Sequence, residues 1–367
     1  SRIIAFRLPS LHIINGRFGS QRVTGVQRVA HGLLHALDAR SDLPGSWQLW
    51  SPRGVAWQPL ERIEVRMRRF PPGTGHLWEQ WVLGAAAMSG ARVLNIAGSG
   101  PWLGGPQVSW LHDAAVFDHP EAYRGSFVRW YRALFRHRVR RGDLLVTPSE
   151  HARERLAFHL RVPRARLRVL PHGADHLDQV AAESGVLERL GLQPGRYWLC
   201  VASRNPNKNL PRLMRAHARG GGGLPLVLAG AVQPRVFAQD ASSAAAAAVL
   251  LLPDVQDSAL KTLMQGARAL LMPSIVEGFG LPALEAMRLG CAVMAARAGA
   301  LPEVCADAAL YVDPASEDSL AGGMERLAQD DVLLARLRAA GRRRAAPFTW
   351  ARAADELLQL LREEAPR

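Results

Sequence analysis

Lysine is almost missing from this chain: Lys208 and Lys261 stand against 44 arginines in 367 residues. Asparagine and tyrosine are nearly as scarce, with five and four residues, while Ala and Gly abound. That imbalance has the form of a genome-wide composition bias, so a residue type the composition avoids is informative where it does occur. Cysteine is sparse too. Cys200, Cys291 and Cys305 are odd in number, widely spaced and set among apolar neighbours, which argues against a disulfide scaffold and for buried thiols in a reducing cytoplasm. No zinc-ligand spacing occurs. No uninterrupted run of ~18 apolar residues exists, so no segment is expected to span a membrane. No secretory pattern follows Ser1, and no period of roughly 20–50 residues points to a solenoid.

What is present in excess is positive charge. The formal net charge of +14 asks for an acidic partner, and nucleic acid, an anionic membrane surface and a phosphorylated substrate all qualify. Nearly half the residues are apolar, enough for one large or two ordinary domains.

Apolar strand-like runs alternate with amphipathic helix-like stretches along the whole chain, the pattern of parallel α/β architecture. In the first half, strands are expected at Leu11–Asn15, Trp47–Trp50, Val93–Ile96, Val108–Leu111, Asp143–Thr147 and Leu167–Leu170. Helices are expected at Val26–Leu37, His76–Met88, Ser126–Arg140 and Ser149–His159. The pattern lapses between Pro171 and Gly195 and then restarts. Strands follow at Tyr197–Ser203, Pro225–Gly230, Val249–Val255, Ala269–Ser274, Ala292–Ala296 and Ala309–Val312, with a last helical stretch over Phe348–Glu364. Gly220–Gly223 and Ala241–Ala248 are low in complexity, a turn and a helix or loop. Two doubly wound parallel-sheet domains facing one another across a cleft, residues 1–175 and 176–346, are the economical reading. Residues 347–367 form a helix expected to pack back on the first domain.

The run Pro273–Glu285, P-S-I-V-E-G-F-G-L-P-A-L-E, has an apolar strand before it, a glycine turn within it and a helix after it, with Pro282 suited to the first turn and Gly290 to the stop. Such a turn aims backbone N–H groups and the positive end of a helix at the carboxyl edge of the sheet, where anionic ligands bind. Glu277 enters that edge and Glu285 lies about one helical turn in.

A second constellation, S-R-N-P-N-K-N, spans Ser203–Asn209, where three of the five asparagines surround one of the two lysines. Asn209 is expected to cap the helix that begins at Leu210, a turn-forming role that leaves Lys208 unexplained. A compact ammonium at this edge would bind a diphosphate, with Arg204 adding a forked contact. The loop Asn15–Arg28, N-G-R-F-G-S-Q-R-V-T-G-V-Q-R, follows the first strand. There Thr24 can cap a helix and Gly25 can let a ligand approach, but the glycine spacing is not that of a dinucleotide fingerprint. His112 and Asp113 follow another strand at its carboxyl edge, where a structural and a functional histidine are equally natural. No nucleophile elbow surrounds Ser203 or Ser274, so hydrolase readings lose ground.

These segments resemble the retaining family-four glycosyltransferases. The resemblance is carried by E-G-F-G-L-P-A-L-E-A-M at Glu277–Met287 and L-P-E-V-x-x-D-A-A-L-Y-V-D-P at Leu301–Pro314. L-H-D-A-A-V-F-D-H-P-E at Leu111–Glu121, T-P-S-E-H-A-R-E-R-L at Thr147–Leu156 and L-P-H-G-A-D at Leu170–Asp175 support it. It implies a GT-B fold, two Rossmann-like domains, with a nucleotide sugar as co-substrate held chiefly by the second, and transfer with retention that needs no metal or other cofactor. It assigns Glu277 to the hydroxyls of the donor sugar, the backbone of Phe279, Gly280 and Leu281 to the sugar or diphosphate, and Glu285 to the ribose. Lys208 and Arg204 would neutralise the leaving diphosphate, His112 would lie near the reacting sugar, and Thr24 and Gly25 would admit the diphosphate. Val255, at the end of its strand, joins the donor-binding set. Fixed donors at the leaving group lower the barrier because charge develops there. A carboxylate nucleophile is the alternative role for Glu277.

Relatives commonly carry P-R-K-N where this chain has Pro206-Asn207-Lys208-Asn209, and Asn where it has His172, and Ala296-Arg297 replaces a polar small pair. Phe127–Arg141 combines aromatics with arginines, which suits either an interfacial helix on an anionic membrane or an ordinary helix with one buried stripe; Arg66, Arg68 and Arg69 could extend the basic face. The expectation is a cytoplasmic hexosyltransferase, peripheral on the inner face of the plasma membrane, with a GDP-mannose-type donor favoured and a glycan or lipid-linked saccharide acceptor of surface polysaccharide synthesis. A nucleotide-sugar epimerase or phosphorylase on the same fold is the runner-up. A nucleic-acid-binding protein, the reading from another class, finds no supporting motif.

Overall fold

Seven parallel strands make the first sheet: β1 (Leu11–Asn15), β2 (Ser46–Pro52), β3 (Glu64–Arg68), β4 (Arg92–Asn95), β5 (Val108–Trp110), β6 (Leu144–Thr147) and β7 (Leu167–Val169), in the spatial order β3-β2-β1-β4-β5-β6-β7. Six more make the second: β8 (Trp198–Ala202), β9 (Leu226–Gly230), β10 (Val249–Leu252), β11 (Ala269–Met272), β12 (Ala292–Ala296) and β13 (Ala309–Val312), in the order β10-β9-β8-β11-β12-β13. These come from a computed structural model, which describes residues 11–69, 75–202, 205–230 and 248–364. Ser203, Arg204 and Ala241–Ala247 lie outside the described residues.

Alternation within the apolar runs explains why both faces of each sheet are covered. Ile14 and Val146 enter one core of the first sheet while their neighbours Ile13 and Leu145 enter others on the opposite face. In the second sheet Leu199 and Leu270 face one core, Trp198 and Leu271 the other. Each strand order reverses once, between β1 and β4 and between β8 and β11. At such a reversal the connecting helices leave in opposite directions, and a crevice opens at the carboxyl ends of the strands.

The chain divides into two units, Ser1–Gly173 with Thr349–Arg367, and Ala174–Phe348. The last helix, Trp350–Glu363, therefore completes the core of the unit that begins the chain, burying Trp350, Ala354, Leu357 and Leu361 against residues of the Gly25–Asp38 helix such as Leu33 and Leu37. Trp350 fits because two glycines leave it room. A Cβ on Gly32 would lie 2.3 Å from its ring, and one on Gly173 would lie 2.3 Å from its backbone nitrogen.

Three expectations are corrected. A strand unforeseen from the sequence, β3, forms at the sheet edge; its E-V-R-M-R is too polar to read as a buried run, and Arg68 covers the Trp50 ring at 4.3 Å. The strand expected over Val249–Val255 stops at Leu252, ahead of Pro253, which has no N–H for the ladder. The segment expected as an α-helix over His76–Met88 is helical throughout, but a π-helical stretch at Glu79–Leu83 replaces its middle and buries Glu79.

The arginine-rich helix runs Gly125–Arg141 and ends at Gly142, whose φ of +83° favours a glycine stop. Its stripe of Val128, Leu134 and Phe135 is buried, as in an ordinary domain helix. Three of its arginines are engaged internally: Arg132 Nε donates to Val116 O at 2.8 Å, Arg138 Nη1 to Gly98 O at 3.0 Å, and Arg141 pairs with Asp143 at 2.7 Å. Among the described residues no helix is long and apolar enough to cross a membrane.

Replacing Trp350 by Ala should cost about 3–5 kcal/mol through the cavity it leaves, read as a fall in the urea midpoint of the first unit.

Candidate active site

Two loops flank the strand reversal of the second unit, one after β8 and one after β11. Lys208 comes from the first and Glu277 from the second, and Nζ sits 2.6 Å from Oε1 with both side chains largely buried. After β8 the described residues form a 3-10 turn at Pro206–Lys208, started by Asn205, whose side chain accepts from Asn207 N at 3.0 Å. Asn209 departs from its expected role. Its backbone is left-handed, with φ of 57°, and its side chain does not cap the Leu210–Gly220 helix. Instead Nδ2 donates to Pro273 O at 3.0 Å and to Pro314 O at 2.8 Å, stitching the loops that follow β8, β11 and β13. Ile275 N adds a bond to Asn207 O at 2.9 Å.

The backbone of Glu277 is clamped from the other side. Ala300 N donates to its carbonyl at 2.9 Å, and Gly299, with φ of +57°, lies so close that a Cβ would meet Glu277 N and O at 2.6 Å. Gly280 then takes φ of +92° and opens the Leu281–Arg288 helix. A side chain there would be strained in its own backbone and would strike Leu301 at 2.6 Å. Phe279 and Leu281 are buried in the core, so what they can offer a ligand is backbone. Glu285, one turn on, is buried, with Oε1 2.9 Å from His176 Nε2. His176 was missed in the sequence. Its only signal was its place directly after the L-P-H-G-A-D turn.

Val255 lies in the link after β10, partly buried against the core of the second unit. Arg204 lies outside the described residues.

In the first unit, Thr24 and Gly25 open the Gly25–Asp38 helix. Gln27 Oε1 accepts from Thr24 N at 3.2 Å in a reciprocal capping box, and open space surrounds the Cα of Gly25 on its Cβ side. His112 Nε2 lies 2.7 Å from Ile96 O, which can only accept, so Nε2 carries the proton. Burial lowers this imidazole to about 4, the Ile96 carbonyl opposing the shift and Arg138 adding to it. Near neutral pH the ring is uncharged and its Nδ1 is a hydrogen-bond acceptor. His172 packs 5.7 Å away, centroid to centroid, and burial holds it well below the ordinary histidine range too.

Residues 190–344 match the family described as Glycosyl transferases group 1, and residues 23–176 match the one described as Glycosyltransferase Family 4. Both halves of the chain are thus glycosyltransferase domains, the second of them of the group 1 family. It is 29% identical over 253 residues to O-antigen chain mannosyltransferase B of Escherichia coli, an alignment covering 66% of each chain. It is 43% identical over 100 residues to MMP alpha-(1->4)-mannosyltransferase of Mycolicibacterium hassiacum, covering 26% of this chain and 24% of that one. The matched stretches thus take in just under two thirds of the first relative and about a quarter of the second. Among solved structures it resembles Alr3699/HepE of Anabaena in complex with UDP-glucose, at a TM-score of 0.71 and 16% identity over 96% of this chain and 99% of that one. The two parallel sheets of this glycosyltransferase are those of the GT-B fold.

Two outcomes follow from these contacts. Gly299→Ala must displace the Glu277 backbone, at a strain of about 1–3 kcal/mol; calorimetry with nucleoside diphosphate should show weakened binding while the circular dichroism spectrum is kept. The second concerns acid. His12, His31 and His112, all in the first unit, are each lowered from 6.5 to about 4, chiefly by burial. Between those values the unfolded chain takes up protons that the folded unit refuses, so stability is full above pH 6.5 and declines as pH falls toward 4. Urea midpoints at neutral pH and at pH 5 should show that decline.

Proposed function

We propose that this glycosyltransferase moves a hexose from a nucleotide sugar, a GDP-mannose-type donor being favoured, to a glycan acceptor with retention at the anomeric carbon. The observation that carries the reading is the Lys208–Glu277 pair at the strand reversal, beside the Gly280 entrance to a helix. Lys208 would neutralise the diphosphate as it departs, in the role a metal ion could otherwise fill, so no cofactor is invoked. Glu277, already bound to an ammonium, suits hydroxyl recognition better than nucleophilic attack. In the transfer the bond from C1 to the diphosphate oxygen breaks, the acceptor hydroxyl bonds to C1 on the same face, and its proton leaves with the phosphate. Glu285, steadied by His176, would take the ribose hydroxyls. Thr24 and Gly25 would face the diphosphate, Phe279, Gly280 and Leu281 would offer backbone to it, and the neutral His112 would accept from a sugar hydroxyl. Arg204 and Val255 complete the assigned set.

The mannosyl donor rests on the names of two relatives, both mannosyltransferases, and use of a nucleotide sugar is supported by the UDP-glucose complex of the structural neighbour. One relative acts on an O-antigen chain, which favours a surface-polysaccharide acceptor presented on a lipid carrier. The exposed Phe127, on the Gly125–Arg141 helix, would then meet an anionic inner leaflet of the plasma membrane.

Purified protein supplied with GDP-mannose should release GDP, faster than it releases UDP from UDP-glucose. Lys208→Met should reduce that release by roughly a hundredfold or more, as loss of a donor at a developing oxyanion does. Failure to bind any nucleoside diphosphate by calorimetry would sink the proposal. Inversion at C1, read by NMR of the product, would reject retention alone.

A further inference from the structure

The strand reversal of the first unit, between β1 and β4, carries a charged constellation that the donor site does not use. Asn15 ends β1, and its Nδ2 lies 3.2 Å from Asn95 Oδ1 at the end of β4. Beneath this seam the π-helical stretch buries Glu79 completely. Its carboxylate is fully engaged: Oε1 accepts from Asn15 Nδ2 at 2.9 Å and Ser99 Oγ at 2.6 Å, and Oε2 from Arg17 Nη1 at 3.3 Å and lies 2.9 Å from His76 Nδ1. Burial alone would raise this carboxyl, but His76, Arg17, Ser99 and Asn15 together hold it below the ordinary carboxylate range. Glu79 is therefore a fixed anion that orients Arg17 and has no lone pair to spare for a ligand.

Arg17 is the group left with capacity. Its Nη1 takes both of its contacts, to Glu79 and to Ser99 Oγ at 3.0 Å. Its Nε is buried and meets no hydrogen-bond partner among the described residues. The Nε–Nη2 edge of a guanidinium is a two-pronged donor that matches two oxygens of a phosphate. A second cation stands behind it. Arg138 is wholly buried, with Nη1 on Gly98 O, one residue before Ser99, while the nearby Arg141 is neutralised by Asp143. Two guanidiniums against the single charge of Glu79 leave the seam net positive. Beside it, His76 packs 5.7 Å from Trp130, which packs 5.4 Å from Trp102, and Trp130 is exposed. An aromatic wall next to a forked cation fits a saccharide bearing a phosphate, the ring against the wall and the phosphate on the fork.

We infer that the β1–β4 seam of the first unit is a phosphate subsite for the acceptor, in which Arg17, oriented by Glu79, grips a phosphate carried by a saccharide. The inference rests on the proposed transferase reading for the word acceptor, but binding at the seam is separable from it.

The test is calorimetry of the full chain with glucose 1-phosphate and with glucose, in a Lys208→Ala background so that a phosphate site in the second unit does not contribute. Glucose 1-phosphate should bind that background, and adding Arg17→Gln should weaken binding at least roughly tenfold. Should Arg17→Gln fail to fold, as judged by circular dichroism, Arg17→Lys keeps the charge beside Glu79 and removes the fork, and the same loss is expected. Unchanged binding in the folded Arg17 variant, or glucose binding as tightly as its phosphate, overturns the subsite. So does Arg17-dependent binding to phosphatidylglycerol vesicles without binding of glucose 1-phosphate, which would assign the seam to a lipid headgroup. Absence of nucleotide-sugar turnover rejects the proposed function and leaves this measurement standing.

Discussion

One amide side chain holds together the loops on which the candidate donor site rests. Parallel strands end in loops that no ladder hydrogen bond connects, so a ligand edge is precise only if something else ties the loops to one another. Asn209 does this by adopting a left-handed backbone and spending its side-chain donors on the carbonyls of Pro273 and Pro314. Asn is among the few non-glycine residues that take this conformation readily. Lys208 precedes it directly, so the ammonium is delivered to Glu277 from a fixed base. The glycine at 299 completes the clamp by bringing a second backbone against Glu277 where any side chain would intrude.

The charge economy of the molecule follows from that arrangement. Arginine serves largely as a structural residue here. Arg132 and Arg138 satisfy carbonyls inside the first unit, Arg141 is paired with Asp143, and Arg268 ties Leu327 O to Asp331. The fork geometry that makes arginine good at holding backbone also makes it a poor point charge. Both lysines, by contrast, act as compact point donors: Lys208 to Glu277, and Lys261 to the carbonyls of Leu177, Asp178 and Val180. These arginines are tied into the interior or paired rather than offered to a ligand, so net charge by itself says little about the partner of this protein.

Much of the architecture was legible because parallel strands covered on both faces read as uninterrupted apolar runs. The sheets form close to where those runs lie, and Lys208 and Glu277 could be marked because rarity and edge position coincide. The misses share a cause. β3 is an edge strand stabilised by one neighbour and an arginine over a tryptophan, a cross-strand effect invisible in its own residues. The π-helical turn at Glu79 keeps the composition of an ordinary helix, and the partners of the carboxylate it buries come from distant segments. Asn209 was expected to cap its helix, the local choice, and tertiary acceptors took its side chain instead. His176 and Arg17 carry no motif of their own; each acquires a role only from the carboxylate that folding places beside it.

The return of the final helix to the opening unit has a consequence for the order in which the molecule can be completed. Synthesis proceeds from the amino end, yet the hydrophobic face of the Gly25–Asp38 helix stays uncovered until Trp350–Glu363 has left the ribosome. The second unit, contiguous from Ala174 to Phe348, can close while the first still waits. The unit that begins the chain therefore cannot complete its core until its last helix, made after the whole of the second unit, is available.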